Sequence, residues 1–139
     1  PFISKLIKNC KPKNIIVNLG FNDIHSGKSV DETLNDCRAF LNSINSVTTN
    51  TNIYLLGVCH FPLFPAFREK EDSYNERLDE IGKEYRNVSV IHAENVFEEI
   101  NKKGNDFLSY IESDLIHPNN KGYSVWMPEI LRNVKGYKL

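Results

Sequence analysis

The sequence predicts an α/β domain built on a parallel sheet. Two patterns carry that prediction. Three short apolar runs rich in branched and aromatic residues lie at 14–19, 52–59 and 88–92, and amphipathic stretches of ten or more residues lie between them. Crossovers of that length are right-handed and make the strands they join parallel. A third observation removes the competing classes. The 139 residues carry 17 Lys and Arg against 18 Asp and Glu, so no basic excess points to a nucleic-acid partner. No apolar run approaches the roughly 20 residues that span a bilayer. The length suits one domain over 1–139 with one core.

Residues 2–8 read as the end of a helix with Phe2, Ile3, Leu6 and Ile7 on one side, broken by Lys11, Pro12 and Lys13. The branched run 14–19, closed by Gly20, reads as a buried strand, and 21–28 as a polar loop. Ser29 and Glu32 form a capping box, each side chain positioned to meet the other's backbone amide. The helix it opens carries Val30, Leu34, Cys37, Leu41, Ile44 and Val47 at spacings of three and four. A second strand follows at 52–59. Residues 60–70 form a loop holding Phe61, Phe64 and Phe67, broken by Pro62 and Pro65. A helix over 72–86 places Tyr74, Leu78, Ile81 and Tyr85 on one face, and 88–92 is a third strand. Residues 96–102 and 106–111 are short helical pieces. Pro118, Asn119 and Asn120 open a last helix with Tyr123, Trp126, Ile130 and Leu131 in its core face. Pro128 inside it predicts a kink or a break.

The run 14–19 is apolar on both faces, which predicts hydrogen-bonded neighbours on both of its edges. Three strands also make a thin sheet for this class. The expectation is that strands ahead of Pro1 complete it, or that another chain does.

Two motifs carry chemistry. Gly20-Phe21-Asn22-Asp23 follows the first strand, and Asp114-Leu115-Ile116-His117-Pro118 precedes the last helix. Singly, each is compatible with a turn or a helix cap. Jointly, they make a constellation. The imidazole of His117 is a general base suited to neutral pH. Asp114, three residues earlier on a turn, can accept from Nδ1–H and leave Nε2 free. Asn22 offers an uncharged amide donor at the carboxyl end of a strand, where open α/β sheets bind ligands. One such donor contributes about 3–4 kcal/mol to an oxyanion-like transition state. Asp23 is better suited to holding the loop than to reacting.

This pair of motifs resembles the SGNH (GDSL-type) hydrolase superfamily of esterases, lipases and acetylhydrolases. The segment Asn119-Asn120-Lys121-Gly122-Tyr123-Ser124-Val125-Trp126 is similar to the family's segment after its His, and the resemblance covers about 11–134. It implies a three-layer, flavodoxin-like fold and ester hydrolysis through a serine, with no cofactor. It implies roles for Asn22 in the oxyanion hole, with Gly20 and Asp23 in the same loop, and for Asp114 and His117 as acid and base. The implied substrate is a small-molecule ester, an acetyl or short acyl group on a sugar or lipid. The family's nucleophile lies in a G-D-S block after its first strand, and a Gly block after its second strand donates a further oxyanion amide. Neither block occurs in these 139 residues. The expectation is therefore an N-terminally truncated hydrolase domain, inactive alone, whose serine lies outside this chain. The alternatives are a non-catalytic binding protein or half of a split enzyme.

Other features have plainer readings. Ser26 and Ser29 follow Asn22, but Ser29 serves as a cap. Ser26-Gly27-Lys28-Ser29 resembles part of a phosphate-binding loop, yet six residues rather than four separate Gly20 from Gly27. Cys10, Cys37 and Cys59 are odd in number and form no metal or redox motif, so free thiols are expected, in keeping with a cytoplasmic, reducing compartment. His25, His60 and His92 lack metal-ligand spacing, and no metal site is expected. His60, Phe61 and Phe64 follow the second strand and are candidate walls of a substrate pocket. Asn87-Val88-Ser89 matches a glycosylation sequon by chance.

Overall fold

Branched side chains favour the pleated backbone, and the three runs that concentrate them become the sheet. In the computed structural model, which describes residues 2–137, β1 (Asn14–Asn18), β2 (Asn52–Leu56) and β3 (Val88–Ile91) are parallel and lie in chain order. Asn14 pairs with Asn52, and Ile53 with Val88. Side chains alternate across the central strand. Ile53 and Leu55 enter one apolar cluster, and Tyr54 and Leu56 enter the other. The first cluster is covered by α1 (Phe2–Cys10), α3 (Val30–Asn45) and α4 (Arg68–Glu84). The second is covered by α5 (Val96–Lys102) and α6 (Asn120–Leu131). The result is three layers, as the sequence predicts.

The capping box forms. Ser29 Oγ accepts from the Glu32 amide at 3.2 Å, and Glu32 Oε2 accepts from the Ser29 amide at 2.9 Å. Several boundaries differ from expectation. Residues 21–25 are a short helix, α2 (Phe21–His25), where a polar loop is predicted. α4 begins at Arg68, four residues before the predicted start, after a 3-10 turn at Pro65–Phe67. β2 ends at Leu56 because Val58 leaves the ladder for a side chain: its N–H donates to Asn75 Oδ1 at 2.7 Å, and its carbonyl accepts from Asn75 Nδ2 at 3.0 Å. Phe107–Tyr110 is a 3-10 turn. α6 runs through Pro128 to Leu131 without a break.

On α1, Ile7 is buried and Ile3 partly so, but Leu6 is 45% exposed; the placement of Phe2 lies outside the described side chains. Ile16 of β1 is also exposed, in place of the burial predicted for both faces of that strand. The three cysteines are free, with Cys10 exposed and Cys37 and Cys59 buried. Among the described residues, no helix is long and apolar enough to cross a membrane.

Candidate active site

At the carboxyl end of β1 the chain turns sharply. Gly20 adopts φ 107°, and a Cβ there would lie 2.7 Å from Cζ of Tyr74. Only glycine combines that dihedral with that approach. Tyr74 Oη donates to the Leu19 carbonyl at 3.3 Å, bracing the turn from α4. α2 starts there, with the Ile24 amide donating to the Gly20 carbonyl at 2.9 Å. Ile24 is fully buried, while Asn22, two residues earlier and on the opposite side of the helix, is exposed. Asp23 is bound within its own loop: its carboxylate meets Lys28 Nζ at 2.7 Å, and its carbonyl accepts from Ser26 Oγ at 2.9 Å.

The second motif sits on a loop closed at its base. Ile111 bridges Pro118, and the Glu112 amide donates to the His117 carbonyl at 2.7 Å. Within it the Asp114 carboxylate accepts three hydrogen bonds. Oδ1 takes the amides of Ile116 and His117 at 3.0 and 2.9 Å, and Oδ2 takes His117 Nδ1–H at 2.6 Å. The His117 backbone N–H, then its imidazole, then the Ile116 N–H together hold the Asp114 carboxyl at a pKa of about 2. The contact assigns the proton to Nδ1. Nε2 has no protein partner among the described residues. Both side chains are open to solvent, Asp114 at 50% and His117 at 69% exposure. The turn requires Leu115 to take a left-handed φ of 66°.

The two motifs meet. A cavity of about 200 Å³ is lined on one side by Gly20, Phe21, Asn22 and Asp23 and on another by Ile116, His117 and Pro118. Cys59, Phe61, Tyr123 and Trp126 complete its apolar lining, with Asn18 and Leu19 from the end of β1. Phe61 therefore borders the cavity, but His60 and Phe64 do not. His60 is 2% exposed, pointing away from the cavity. Polar neighbours hold its ring: Nε2 lies 3.3 Å from both Asn75 Nδ2 and Asp72 Oδ1, and Nδ1 lies 2.9 Å from Asn95 Oδ1. Phe64 packs edge-on against His25 instead. Tyr123, expected in the helix core, is 43% exposed and faces the cavity. Asn18 and Cys59 are cavity residues that no motif marks, while Tyr123 and Trp126 fall in the 119–126 segment noted above, where they are read as helix core. For Asn18 and Cys59 the signal was position: Asn18 ends β1 and Cys59 lies three residues past β2, on the side where parallel sheets open.

Burial pushes the Cys59 thiol well above its ordinary range, so it stays protonated. Lys28 is held by Asp23 and Asp36, each at 2.7 Å, and the amino end of α3 is occupied by its own Glu32. Neither is open to a phosphate, so the loop at 26–29 does not form the phosphate cradle considered above. Among the described residues, no group of three or more His, Cys, Asp or Glu side chains gathers as a metal site would require.

A model of the GDSL-like lipase/acylhydrolase family matches residues 5–125. No curated protein sequence matches the chain. Among solved structures, a carbohydrate esterase family 3 protein from Talaromyces cellulolyticus aligns at 16% identity with a TM-score of 0.70, over 92% of this chain and 59% of its own. A member of the lipolytic protein G-D-S-L family from Veillonella parvula aligns at 18% identity and TM-score 0.69, over 96% of this chain and 73% of its own. A variant of Axe2, an acetyl-xylooligosaccharide esterase from Geobacillus Stearmophilus, aligns at 17% identity and TM-score 0.69, over 96% of this chain and 65% of its own. The fold is shared at these identities, and the chain spans about three-fifths of the first of these proteins.

Proposed function

We propose a function from one premise: the chain belongs to the GDSL-like lipase/acylhydrolase family. It forms the base and oxyanion side of a carboxylic-ester hydrolase that works by acyl transfer through a serine. The observation that carries this reading is the single cavity bordered by both Asn22 and His117, with Asp114 behind the imidazole at 2.6 Å. In the first half-reaction, His117 Nε2 takes the proton of a serine hydroxyl as its oxygen attacks the ester carbonyl. The Asn22 amide, with the Gly20 loop, donates to the oxygen that gains charge. Asp114 steadies the imidazolium, which then protonates the departing alcohol. Water repeats the sequence on the acyl-enzyme.

The serine belongs outside these 139 residues. Among the described residues, no Ser or Thr lines the cavity, and burial keeps the Cys59 thiol protonated. The substrate is an acetyl or short acyl ester of a sugar or lipid. In support, two of the structural relatives are carbohydrate esterases by name. The edge of β1 away from β2 has no strand partner among the described residues, and the reading places a further segment or chain there.

Labelling with a serine-directed fluorophosphonate tests the proposal. The intact natural protein is expected to label and to hydrolyse p-nitrophenyl acetate, and the 139-residue chain alone to do neither. Labelling of the short chain would overturn the placing of the nucleophile. An intact protein that neither labels nor turns over ester would favour the non-catalytic binding reading.

A further inference from the structure

We propose that His25 and Glu71 are positioning residues: the contact of the partly buried imidazole with the buried carboxylate sets the rotation of α2 and so aims the Asn22 amide. The inference rests on the ester-hydrolase reading above. α2 has five residues, far fewer than the roughly 12–15 an isolated helix needs, so tertiary contacts must orient it. Its amino end is Gly20, which has no side chain to cap with. Ile24 anchors the helix to the core at one point on its buried face.

His25 supplies the second anchor. Its ring lies between Phe21 and Phe67, each with centroids 4.0 Å away and planes within 22° and 16°. Nε2 meets Glu71 Oε1 at 2.8 Å, and Glu71 is only 2% exposed. A carboxylate buried that deeply is costly unless it is paired. Apolar replacements for such pairs are often neutral or stabilising, so stability alone is weak ground for this one, and its geometry supplies another. Glu71 and Tyr74 lie three apart on one face of α4. Tyr74 braces the start of α2 at Leu19 and Gly20, and Glu71 holds its end at His25. Phe21 carries the stack onward, edge-on to Phe61 at 5.7 Å, and both rings line the cavity. Asn22 lies between the two braces.

The test is a double-mutant cycle in the intact natural protein. His25→Leu should lower kcat for p-nitrophenyl acetate about tenfold to a hundredfold, with KM changed by less than about twofold. His25→Gln keeps an N–H near the position of Nε2 and should recover most of that loss. In an Asn22→Ala background, His25→Leu should have less than about a twofold effect, because no amide is left to aim. Equal losses in both backgrounds, no loss, or a change confined to KM would overturn the proposal. Should His25→Leu fail to fold, Glu71→Gln enters the same cycle with the same expectation. The side-chain amide signals of Asn22 in ¹⁵N NMR give a reading independent of turnover. They should move in the His25 and Glu71 variants, and unmoved signals overturn the clamp. If they move while Asn22→Ala leaves turnover intact, the clamp stands and the role given to Asn22 fails.

Discussion

Replacing Gly20 by Ala separates two costs that usually come together. Gly20 and Gly27 have nearly the same dihedral, φ 107° and 102°, a region L-residues rarely occupy. They differ in surroundings. A Cβ on Gly20 would sit 2.7 Å from Cζ and 2.9 Å from Cε1 of Tyr74, whereas one on Gly27 meets nothing within 4 Å. Backbone strain of this kind costs about 1–3 kcal/mol, and forcing a methyl group into a packed site costs about 1–3 more. Gly27→Ala should therefore lose about 1–3 kcal/mol and Gly20→Ala about 2–6, the difference being the Tyr74 clash. Urea titration of the intact protein measures both, provided the slope stays constant. Tyr74→Leu should shrink the gap, since it removes the ring that the new methyl group meets. The turn also starts α2, so Gly20→Ala should lower kcat, while Gly27→Ala acts mainly on stability. Equal destabilisation by the two substitutions would refute the reasoning, because the approach of Tyr74 would then carry no energy.

Steady-state ester hydrolysis checks the assigned roles. His117→Ala should remove nearly all turnover, Asn22→Ala should lower kcat about a hundredfold or more with KM nearly unchanged, and Asp114→Asn should fall between no effect and the His117 loss. The pH response of Asp114 follows from its depressed pKa of about 2. Its contribution is fully present above the ordinary carboxylate value and fades only as pH falls through about 2, so an acid limb of activity above pH 4 belongs to another group. A ¹³C titration of the Asp114 carboxyl should show that midpoint. In His117→Ala the midpoint should rise only part of the way, because the backbone amides of Ile116 and His117 still donate; full return to the ordinary value would contradict this.

The layers were legible because they depend on local periodicity. The unbroken apolar run from Ile53 to Leu56, buried on both faces, and the three-four spacing from Leu34 to Ile44 hold whatever the rest of the chain does. A capping box is equally local, and Ser29 and Glu32 form it as spaced. Boundaries were less legible because distant groups decide them. β2 stops at Leu56 since Asn75, on a helix seventeen residues beyond Val58, offers its amide to the backbone. The same amide, with Asn95 and Asp72, holds the buried His60 ring, so a residue that chain position assigns to the pocket wall lies outside the cavity lining. Phe61 and Cys59 on either side of it face the cavity, as alternation along an extended segment requires.

α2 and the start of α4 were hidden for a related reason. Phe21, Asn22, Asp23 and His25 are weak helix formers, and five residues are too few to show a period. Residues 68–71 read Arg, Glu, Lys, Glu, which by composition is a solvated face. That inference assumes that a carboxylate stays in water because burying it alone is too costly. The assumption holds for Glu69, which is exposed, and fails for Glu71 two residues later, because an imidazole 46 positions away shares its burial. Nothing in the run itself distinguishes the two glutamates. The pairing appears only when β1 and α4 bring Gly20 against Tyr74, since that contact carries His25 to within 2.8 Å of Glu71.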